Sequence, residues 1–369
     1  MAKKPKLITC KHCGHEIASS AKACPHCGGK NKKPIFKRIW FWILVVIILL
    51  AVIGFVGGGG SSTDNKKIGE VGKDQSTEEK RDSDDTIKID STEKSEEENI
   101  QTVYKVGDIL HDGNMDIVYV SSGDYEDGSE YWEPKEGNKY IFLNFVFINT
   151  SDNSDASVSL YDFECYADGY NCEGYYGADD DLSATLSAGR STQGSIYFEV
   201  PIDAKEIEIE YESNVFTDEK ITFAFEGDKD SGYVLEKNTE ATEGALSVGD
   251  VAESKSLNIT YLDCFKDESD NMFIYPKDGY HYVTCEFEFE NVSDSDISVT
   301  YFSFDCYADG IDCEAVYFRD DSISADLSSG RKAKGTVTFE VPDDASVVEV
   351  EYLTNYWTSN RVVFDASGC

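Results

Sequence analysis

The feature that most constrains this chain is an uncharged, apolar run of eighteen residues from Ile39 to Val56. As a helix it would be about 27 Å long, which matches the hydrocarbon thickness of a bilayer. Several lysine and arginine residues precede it, and Trp40 and Trp42 lie at its start. The run therefore predicts a transmembrane helix over 39–56, with a cytoplasmic N-terminus and the C-terminal domains outside the cell.

Two other interpretations of this run are less favourable. A buried core helix of this length would normally carry a polar face. A cleaved signal peptide would have a shorter n-region than the 38 residues that precede the run here, although a cut near Gly57 to Ser61 remains an alternative.

The charge distribution supports the same division of the chain. The whole chain has a net charge of −38, whereas residues 1–38 carry +9 and the remainder carries −47. A basic inner end suits an anionic inner leaflet, and the acidic outer part excludes a nucleic-acid partner. Residues 57–100 are polar and charged with few apolar side chains, so we predict a disordered acidic linker there.

Two C-x-x-C knuckles near the N-terminus predict a metal site. Cys10-Lys-His-Cys13-Gly and Cys24-Pro-His-Cys27-Gly lie ten residues apart, and four thiolates complete the tetrahedral shell of Zn²⁺. A segment this short cannot build a core, so zinc binding would also drive its folding. The region 8–29 resembles the short zinc ribbon at the N-terminus of many bacterial membrane proteins, which implies Cys10, Cys13, Cys24 and Cys27 as structural ligands.

The second knuckle has a rival interpretation. Cys24-Pro-His-Cys27 also matches the dithiol of a thiol oxidase, but that chemistry needs a thioredoxin-like fold, for which there is no room before residue 39. We therefore expect a cytoplasmic structural zinc ribbon that either contacts a cytoplasmic protein partner or only stabilises the membrane topology.

The outer region contains the same unit twice, at 102–226 and 246–366. Cys165-Tyr-Ala-Asp-Gly-Tyr-Asn-Cys172 returns as Cys306-Tyr-Ala-Asp-Gly-Ile-Asp-Cys313, and Phe198-Glu-Val-Pro201 returns as Phe339-Glu-Val-Pro342. The offset is 142 residues early in the unit and 141 later. We predict domains at 101–228 and 244–369, joined by a linker at 229–243.

Each unit reads as seven short strands, near 115–120, 139–148, 157–166, 170–176, 193–200, 206–211 and 220–226 in the first. In the second unit Val283, Cys285, Phe287 and Phe289 alternate with polar residues. This alternation predicts antiparallel sheets with one buried face. The fold class is therefore mainly β: a zinc ribbon, one transmembrane helix, a disordered linker and two tandem immunoglobulin-like β-sandwiches.

The order of motifs also resembles a known family. Val-Gly-Asp, a long strand ending in Asn-Thr-Ser-Asp or Asn-Val-Ser-Asp, Tyr-Ala-Asp-Gly and then Phe-Glu-Val-Pro are similar to the bacterial telokin-like immunoglobulin domain, a domain-of-unknown-function family. The resemblance covers both units and implies a fold that is common on lipoproteins and membrane-anchored surface proteins. It implies no catalytic residue.

Hairpin turns set the expected disulfides. Asp168-Gly169 is a strong two-residue turn, and pairing outward from it places Cys165 opposite Cys172. The same count places Cys306 opposite Cys313, and opposed cysteines outside the membrane should oxidise. This third pair from the turn is hydrogen-bonded and wide for a disulfide, so buried free thiols are the alternative. Cys264 and Cys285 could bond each other, which would leave Cys369 unpaired.

The outer region shows no motif of a nucleophile, a phosphate-binding loop or a zincin. Asp179, Asp180, Asp320 and Asp321 recur in one loop of each unit, where they are either solvated acids or a calcium site. His111 and His281 are not equivalent in the repeat, so we expect ordinary surface residues.

These observations favour a non-enzymatic, single-pass plasma-membrane protein that presents a binding surface to an unknown extracellular or envelope ligand. A purely structural envelope stalk and an envelope hydrolase are the alternatives.

Overall fold

The computed structural model describes residues 7–9, 16–18, 66–70 and 102–369, except 127–132, 179, 181, 214–219, 268–274, 318 and 356–358. The predicted transmembrane helix over 39–56 and the predicted zinc ligands lie outside these residues. The chain divides into two compact units, Met1–Ser62 and Thr63–Cys369. In the first unit, strand β1 (Leu7–Thr9) pairs antiparallel with β2 (Glu16–Ala18).

The second unit contains two β modules in sequence. The strands of the first module are β3 (Lys66–Glu70), β4 (Val103–Tyr104), β5 (Asp108–Asp112), β6 (Met115–Tyr125), β7 (Asn138–Asn149), β8 (Ala156–Ser159), β9 (Phe163–Ala167), β10 (Tyr170–Asn171), β11 (Glu173–Tyr175), β12 (Ser183–Leu186), β13 (Ser191–Pro201), β14 (Ile207–Tyr211), β15 (Ile221–Ala224) and β16 (Lys229–Asp230). Those of the second are β17 (Val251–Ala252), β18 (Leu257–Asp267), β19 (Tyr280–Asn291), β20 (Ile297–Thr300), β21 (Phe304–Ala308), β22 (Ile311–Asp312), β23 (Ser324–Leu327), β24 (Lys332–Pro342), β25 (Val348–Asn355) and β26 (Asn360–Asp365).

The first module is a β-sandwich built on the long strand β7. β7 pairs antiparallel with β6 on one side and with β13 on the other, and the facing sheet has the order β10-β9-β14-β15-β4. Phe145 from β7 and Phe223 from β15 meet in the core with ring centroids 4.8 Å apart. Both side chains are fully buried, and burial of each stabilises the module by about 1.5–3 kcal/mol.

The second module repeats this arrangement around β19, which pairs with β18 and β24. The predicted inward residues Val283, Cys285, Phe287 and Phe289 are all buried, as the alternation indicated. The chain is therefore mainly β, with β-sandwich modules, as the sequence predicted.

Several local predictions need correction. The expected single strand 157–166 is divided by the 3-10 helix Leu160–Asp162, because the Ser159 side chain accepts a hydrogen bond from the Tyr161 backbone N–H, and Asp162 accepts one from Ser159. The periodicity also missed β5 and β12. In addition, Lys66–Glu70 lies within the predicted disordered linker but forms β3 by pairing with β5. An exposed strand edge can accept such a segment through backbone hydrogen bonds without burying apolar side chains.

The segment predicted as a simple linker at 229–243 packs against both modules. Tyr233 and Leu235 contact an apolar patch on the first module formed by Val118, Val120 and Val146. Farther along, the backbone N–H of Asn238 donates to the Asp309 carbonyl of the second module at 2.7 Å. The linker therefore restricts how the two modules can move apart.

A buried ion-pair network joins the modules directly. The Arg190 guanidinium, which follows the turn at the start of β13, donates to Glu349 at 2.6 Å and to Glu351 at 2.7 and 3.0 Å. The side chains of these two glutamates on β25 are 1% and 4% exposed. Thr242 of the linker also donates to Glu349, from its backbone at 2.6 Å. Buried charges that are paired in this way are costly to separate.

An aromatic contact completes this joint. Tyr307 of β21 is fully buried and belongs to the hydrophobic core of the first module. Its hydroxyl donates to the Thr185 carbonyl and accepts from the Ser187 backbone N–H, and its ring lies 4.7 Å from the Arg190 guanidinium. Beside it, Ser191 and Ile311 form a parallel bridge between β13 and β22. The two modules therefore share one continuous interface.

Candidate functional site

The two predicted cysteine hairpins have the expected register but not the expected disulfides. Tyr170 pairs with Ala167, and the Cys172 backbone N–H donates to the Cys165 carbonyl at 2.8 Å. Asp168 and Asp309 adopt the positive φ angles that such tight turns need, 49° and 50°. The structure nevertheless has free thiols at Cys165, Cys172, Cys306 and Cys313. A hydrogen-bonded antiparallel pair disfavours a disulfide, because its Cβ atoms are farther apart than the bond prefers.

The disulfide present among the described residues joins Cys264 to Cys369, with their Cα atoms 5.6 Å apart. Cys264 and Cys285, one pairing that the sequence allowed, are therefore not bonded to each other, although the two residues are cross-strand partners and their sulfur atoms lie 3.7 Å apart. Cys285 is a buried free thiol, and burial raises its pKa to about 12. It is unreactive as a thiolate at neutral pH for that reason.

The acidic pairs proposed as calcium ligands have protein partners. Asp180 accepts hydrogen bonds from the Ser195 hydroxyl at 2.8 Å and from the Tyr197 hydroxyl. Asp321 pairs with Arg319 at 2.8 Å, which occupies the carboxylate with a cation. Asp179 lies outside the described residues, and Asp320 is exposed. Across the described part of the chain, no three His, Cys, Asp or Glu side chains cluster as a metal site would require.

The two outer histidines each form a surface contact with an acid. His111 Nδ1 lies 2.6 Å from Asp116, and His281 Nδ1 lies 2.8 Å from Asp343. The two sites are on different strands and share no partner, so they do not form one duplicated site, as the sequence indicated.

A groove on the first module brings aromatic and polar side chains together. Its volume is about 600 Å³. Tyr125 and Tyr197 lie on one side with their ring centroids 4.6 Å apart. The groove is lined by Val120, Ser121, Tyr125, Phe142, Asn144, Asp180, Gln193, Ser195, Tyr197, Asp230, Gly232, Tyr233 and Val234.

A row of hydrogen bonds fixes the polar floor of this groove. Gln193 donates to Asn144 at 2.9 Å, and Asn144 donates to Ser195 at 2.9 Å. Ser195 then donates to Asp180 at 2.8 Å. Each side chain is therefore held in one orientation by its neighbour, and such preorganisation lowers the entropic cost of binding a ligand.

Glycine at position 194 allows Asp180 to reach this floor. A Cβ atom there would lie 2.9 Å from the Leu182 Cα atom and 3.1 Å from the Asp180 carbonyl oxygen. The absent side chain lets Asp180 and Leu182 lie directly on β13, where the Ser195 N–H donates to the Asp180 carbonyl at 2.8 Å.

The electrostatics of the groove favour neutral or cationic ligands. The described residues that line it include two carboxylates, from Asp180 and Asp230, and no lysine or arginine. Burial, followed by the hydrogen bond to Asp180, raises the pKa of the Tyr197 hydroxyl well above its usual value. Tyr197 is therefore a neutral hydrogen-bonding group at physiological pH.

The corresponding surface of the second module is chemically different. Asp267 pairs with Tyr282 as Tyr125 pairs with Tyr140, so the register places Asp267 at the position of Tyr125. The Arg319 guanidinium bridges Asp267 at 2.7 Å and Asp321 at 2.8 Å. An ion-pair cluster thus occupies the place of the aromatic groove.

Sequence reasoning identified Asp180 but not the groove around it. Tyr125, Phe142 and Tyr197 lie on strands where alternation indicates which residues share a face, but not which face is concave. At these three positions the first repeat has an aromatic residue and the second has a polar one. This difference was visible in the sequence and could have indicated the groove.

Comparison with protein families identifies the duplicated unit. A model of DUF4352, a domain of unknown function, matches residues 104–221 and again 246–362, which together exceed half of the chain. The chain belongs to the DUF4352 family. The two DUF4352 domains coincide with the two β-sandwich modules, and this match indicates no enzymatic family.

Solved structures that match part of the DUF4352 chain share little sequence with it. The ycdA protein of Bacillus subtilis is 13% identical over 31% of this chain and 37% of its own, with a TM-score of 0.28. The yjhA protein of Bacillus subtilis is 18% identical over 32% of this chain and 98% of its own, with a TM-score of 0.27. The secreted protein MPT63 of Mycobacterium tuberculosis is 11% identical over 34% of this chain and 99% of its own, with a TM-score of 0.26.

A comparison with curated proteins gave no match. Within the described ranges, the structure contains no helix whose length and apolar character would suit a membrane span.

Proposed function

We propose that this chain is a non-enzymatic, single-pass membrane protein whose first DUF4352 domain binds an extracellular or envelope ligand. The observation that carries the proposal is the groove of the first module, which combines aromatic side chains with a fixed row of hydrogen-bonding groups. Aromatic residues beside oriented polar groups are typical of binding surfaces. The second module lacks these aromatic side chains at equivalent positions, so the fold itself does not require them.

The lining of the groove limits the chemistry of the ligand. Aromatic faces favour flat apolar groups or cations, and the amides of Asn144 and Gln193 both donate and accept hydrogen bonds. With two carboxylates and no basic side chain, the groove would repel an anionic ligand. The ligand is therefore an uncharged or cationic segment with several hydrogen-bonding groups.

Site-specific photo-crosslinking tests this proposal in the native membrane. A photoreactive residue is placed at Gln193, which is exposed in the groove, and in a second variant at its exposed equivalent Lys334. We expect a discrete adduct from position 193 and none from position 334. If neither position is labelled, a rigid spacer describes the protein better than a binding module does. Equal labelling of both positions would exclude the groove as the ligand-binding site.

The membrane topology of the proposal rests on the apolar run over 39–56 and the charge step across it. Protease added to intact cells or protoplasts should remove both DUF4352 domains and spare the N-terminal 38 residues. Protection of the C-terminal domains would contradict this orientation.

The proposed structural zinc site is supported by the first unit of the fold. β1 and β2 form an antiparallel pair, and in the sequence Cys10 and Cys13 stand between these two strands. Two knuckles would then hold one Zn²⁺, without a catalytic role. The full-length chain should contain one zinc, which the Cys24→Ser variant loses and a Cys172→Ser control retains. Equal zinc content in these two variants would contradict the assignment.

A further inference from the structure

The residues that join the two modules have equivalents in the repeat that lie outside this interface. Arg190 of the first module corresponds to Arg331 of the second, and each follows a turn whose glycine has a positive φ, at Gly189 and Gly330. Arg190 is buried, whereas Arg331 is exposed. Within the described part of the chain, no carboxylate forms an ion pair with the Arg331 side chain.

The acceptor side of the interface is repeated as well. In the second module Glu349 and Glu351 on β25 lie opposite Tyr307 and Asp305 on β21. In the first module Glu208 and Glu210 on β14 lie opposite Tyr166 and Glu164 on β9 in the same register.

The cation beside these acids is also duplicated. Arg361 pairs with Asp305 and lies 3.6 Å from Glu351. At the corresponding place in the first module, Lys220 pairs with Glu164 at 3.2 Å and with Glu210 at 2.7 Å. Glu208 itself has no ion-pair partner in the described part of the chain.

The acceptor face of the second module, formed by Tyr307, Glu349 and Glu351, differs in burial from its copy in the first module. Tyr307, Glu349 and Glu351 are at most 3% exposed, whereas Tyr166, Glu208 and Glu210 remain only partly buried. The exposed Tyr170 stands where Ile311 forms the bridge between the modules. Among the described residues, none covers the first module's copy of the acceptor face (Tyr166, Glu208 and Glu210) or the second module's copy of the Arg190 face.

We propose that a second copy of this chain occupies each of these faces, with Arg331 of one copy docked on Glu208 and Glu210 of the next. The two faces are complementary in charge and differ from each other, so the contact is heterologous and adds copies head to tail. Tyr166 would lie against the Arg331 guanidinium as Tyr307 lies against Arg190. The proposal concerns self-association only, so it does not depend on the ligand of the groove or on the membrane anchor.

The contact between copies is expected to be weaker than the internal one. Within one chain the linker keeps the faces at a high effective concentration and adds Thr242 to the network. The net charge of −38 also makes the copies repel each other, an effect that is screened beyond about 8 Å at physiological salt. Association is therefore expected at physiological or higher ionic strength and at high local concentration.

Cysteine cross-linking of the full-length chain tests the contact directly. Ser191 and Ile311 are Cα partners within the chain, so Lys332 and Tyr170 of two copies would be partners between chains. A Lys332→Cys chain mixed with a Tyr170→Cys chain should give a 170–332 disulfide, identified by peptide mapping. The matched control mixes the Tyr170→Cys chain with a Lys266→Cys chain, because Lys266 pairs with Val283 near the opposite end of β19. A 170–332 link no more abundant than the 170–266 link would overturn the proposal.

Charge reversal provides the second test. Arg331→Glu and Glu208→Arg introduced separately into the cysteine chains should each lower the yield of the 170–332 link roughly thirtyfold or more, since a desolvated charge would face a like charge. The reversed pair, with Arg331→Glu in the Lys332→Cys chain and Glu208→Arg in the Tyr170→Cys chain, should restore the link. A Lys266→Glu control should leave it unchanged. Single reversals without effect, or a double reversal without rescue in chains whose thermal unfolding is normal, would show that these residues do not meet.

Discussion

The two DUF4352 domains place the same arginine after the same turn, yet Arg190 is buried between two glutamates while Arg331 faces solvent. Their strand registers are also the same around this position. What differs is the neighbour: the first module has the second against this face, and the second has no described segment there. The comparison shows that a residue repeated for one structural reason can have two energetic roles, according to its position in a tandem pair.

The largest expected difference between the modules comes from the two arginines. Arg190→Ala would leave Glu349 and Glu351 buried without their main cation, which should lower the free energy of unfolding by about 3–5 kcal/mol. Arg331→Ala removes an exposed side chain and should change it by no more than about 0.5 kcal/mol. Urea unfolding of dilute protein measures both values, and similar losses for the two variants would contradict the asymmetry.

Tyr307 and Tyr166 occupy equivalent positions in the two modules and provide a second comparison between them. Tyr307→Ala opens a cavity in the core of the first module and should cost about 3–5 kcal/mol. Tyr166→Ala alters a partly exposed side chain and should cost about 1 kcal/mol. Hydrogen exchange should show that Tyr307→Ala weakens protection in the first module, although the substitution is in the second. Protection that falls only in the second module would mean that the cores are independent.

The disulfide provides a third asymmetry, because Cys264–Cys369 lies in the second module and spans 105 residues. A cross-link that closes such a long loop restricts the unfolded chain and typically stabilises a protein by about 2–4 kcal/mol. Cys369→Ser should therefore lower the melting temperature of the second module, with a smaller change in the first. A Cys172→Ser control should have little effect on either module. Calorimetry measures the melting temperature, and an unchanged melting of the second module would contradict the stabilising role.

The smallest effect concerns pH. Asp312 has a pKa well above its usual range because it is partly buried and lies near Asp305, whereas the first module has Asn171 at the same place. A raised pKa in the folded state means that the ionised form is disfavoured there, so the second module should become more stable as the pH falls from 7 towards 5. Asp312→Asn should abolish this gain. Thermal unfolding at pH 7 and pH 5 measures this gain in stability. An equal gain in the variant would mean that groups other than Asp312 cause it.

The sequence predicted the repeat, the sandwich architecture and the hairpin register, because alternation and two-residue turns are local signals. Asp168-Gly169 and Asp309-Gly310 form the turns that were expected. Cys369 could not be paired with Cys264 by such reasoning, since the partners are far apart in sequence and no local rule relates them. The same holds for Arg190: its repetition was visible, but its burial depends on how one module packs on another.

The groove was only partly predictable for a related reason. Asp180 was identified as a repeated acid, and its partners follow from the close approach of Asp180 and Leu182 to Gly194. That approach depends on tertiary packing. The aromatic side chains around it could be read as ordinary members of a sheet until the curvature of the surface was known.

Tyr307 also bears on how the protein is made. It completes the core of the first module but is synthesised more than a hundred residues after the strands that surround it. We expect the nascent first module to remain loosely packed, and open to proteases, until the second module has emerged and folded beside it. Pulse proteolysis of chains halted at different lengths would measure the point at which the first module becomes resistant. Resistance acquired before residue 307 emerges would show that this module matures alone.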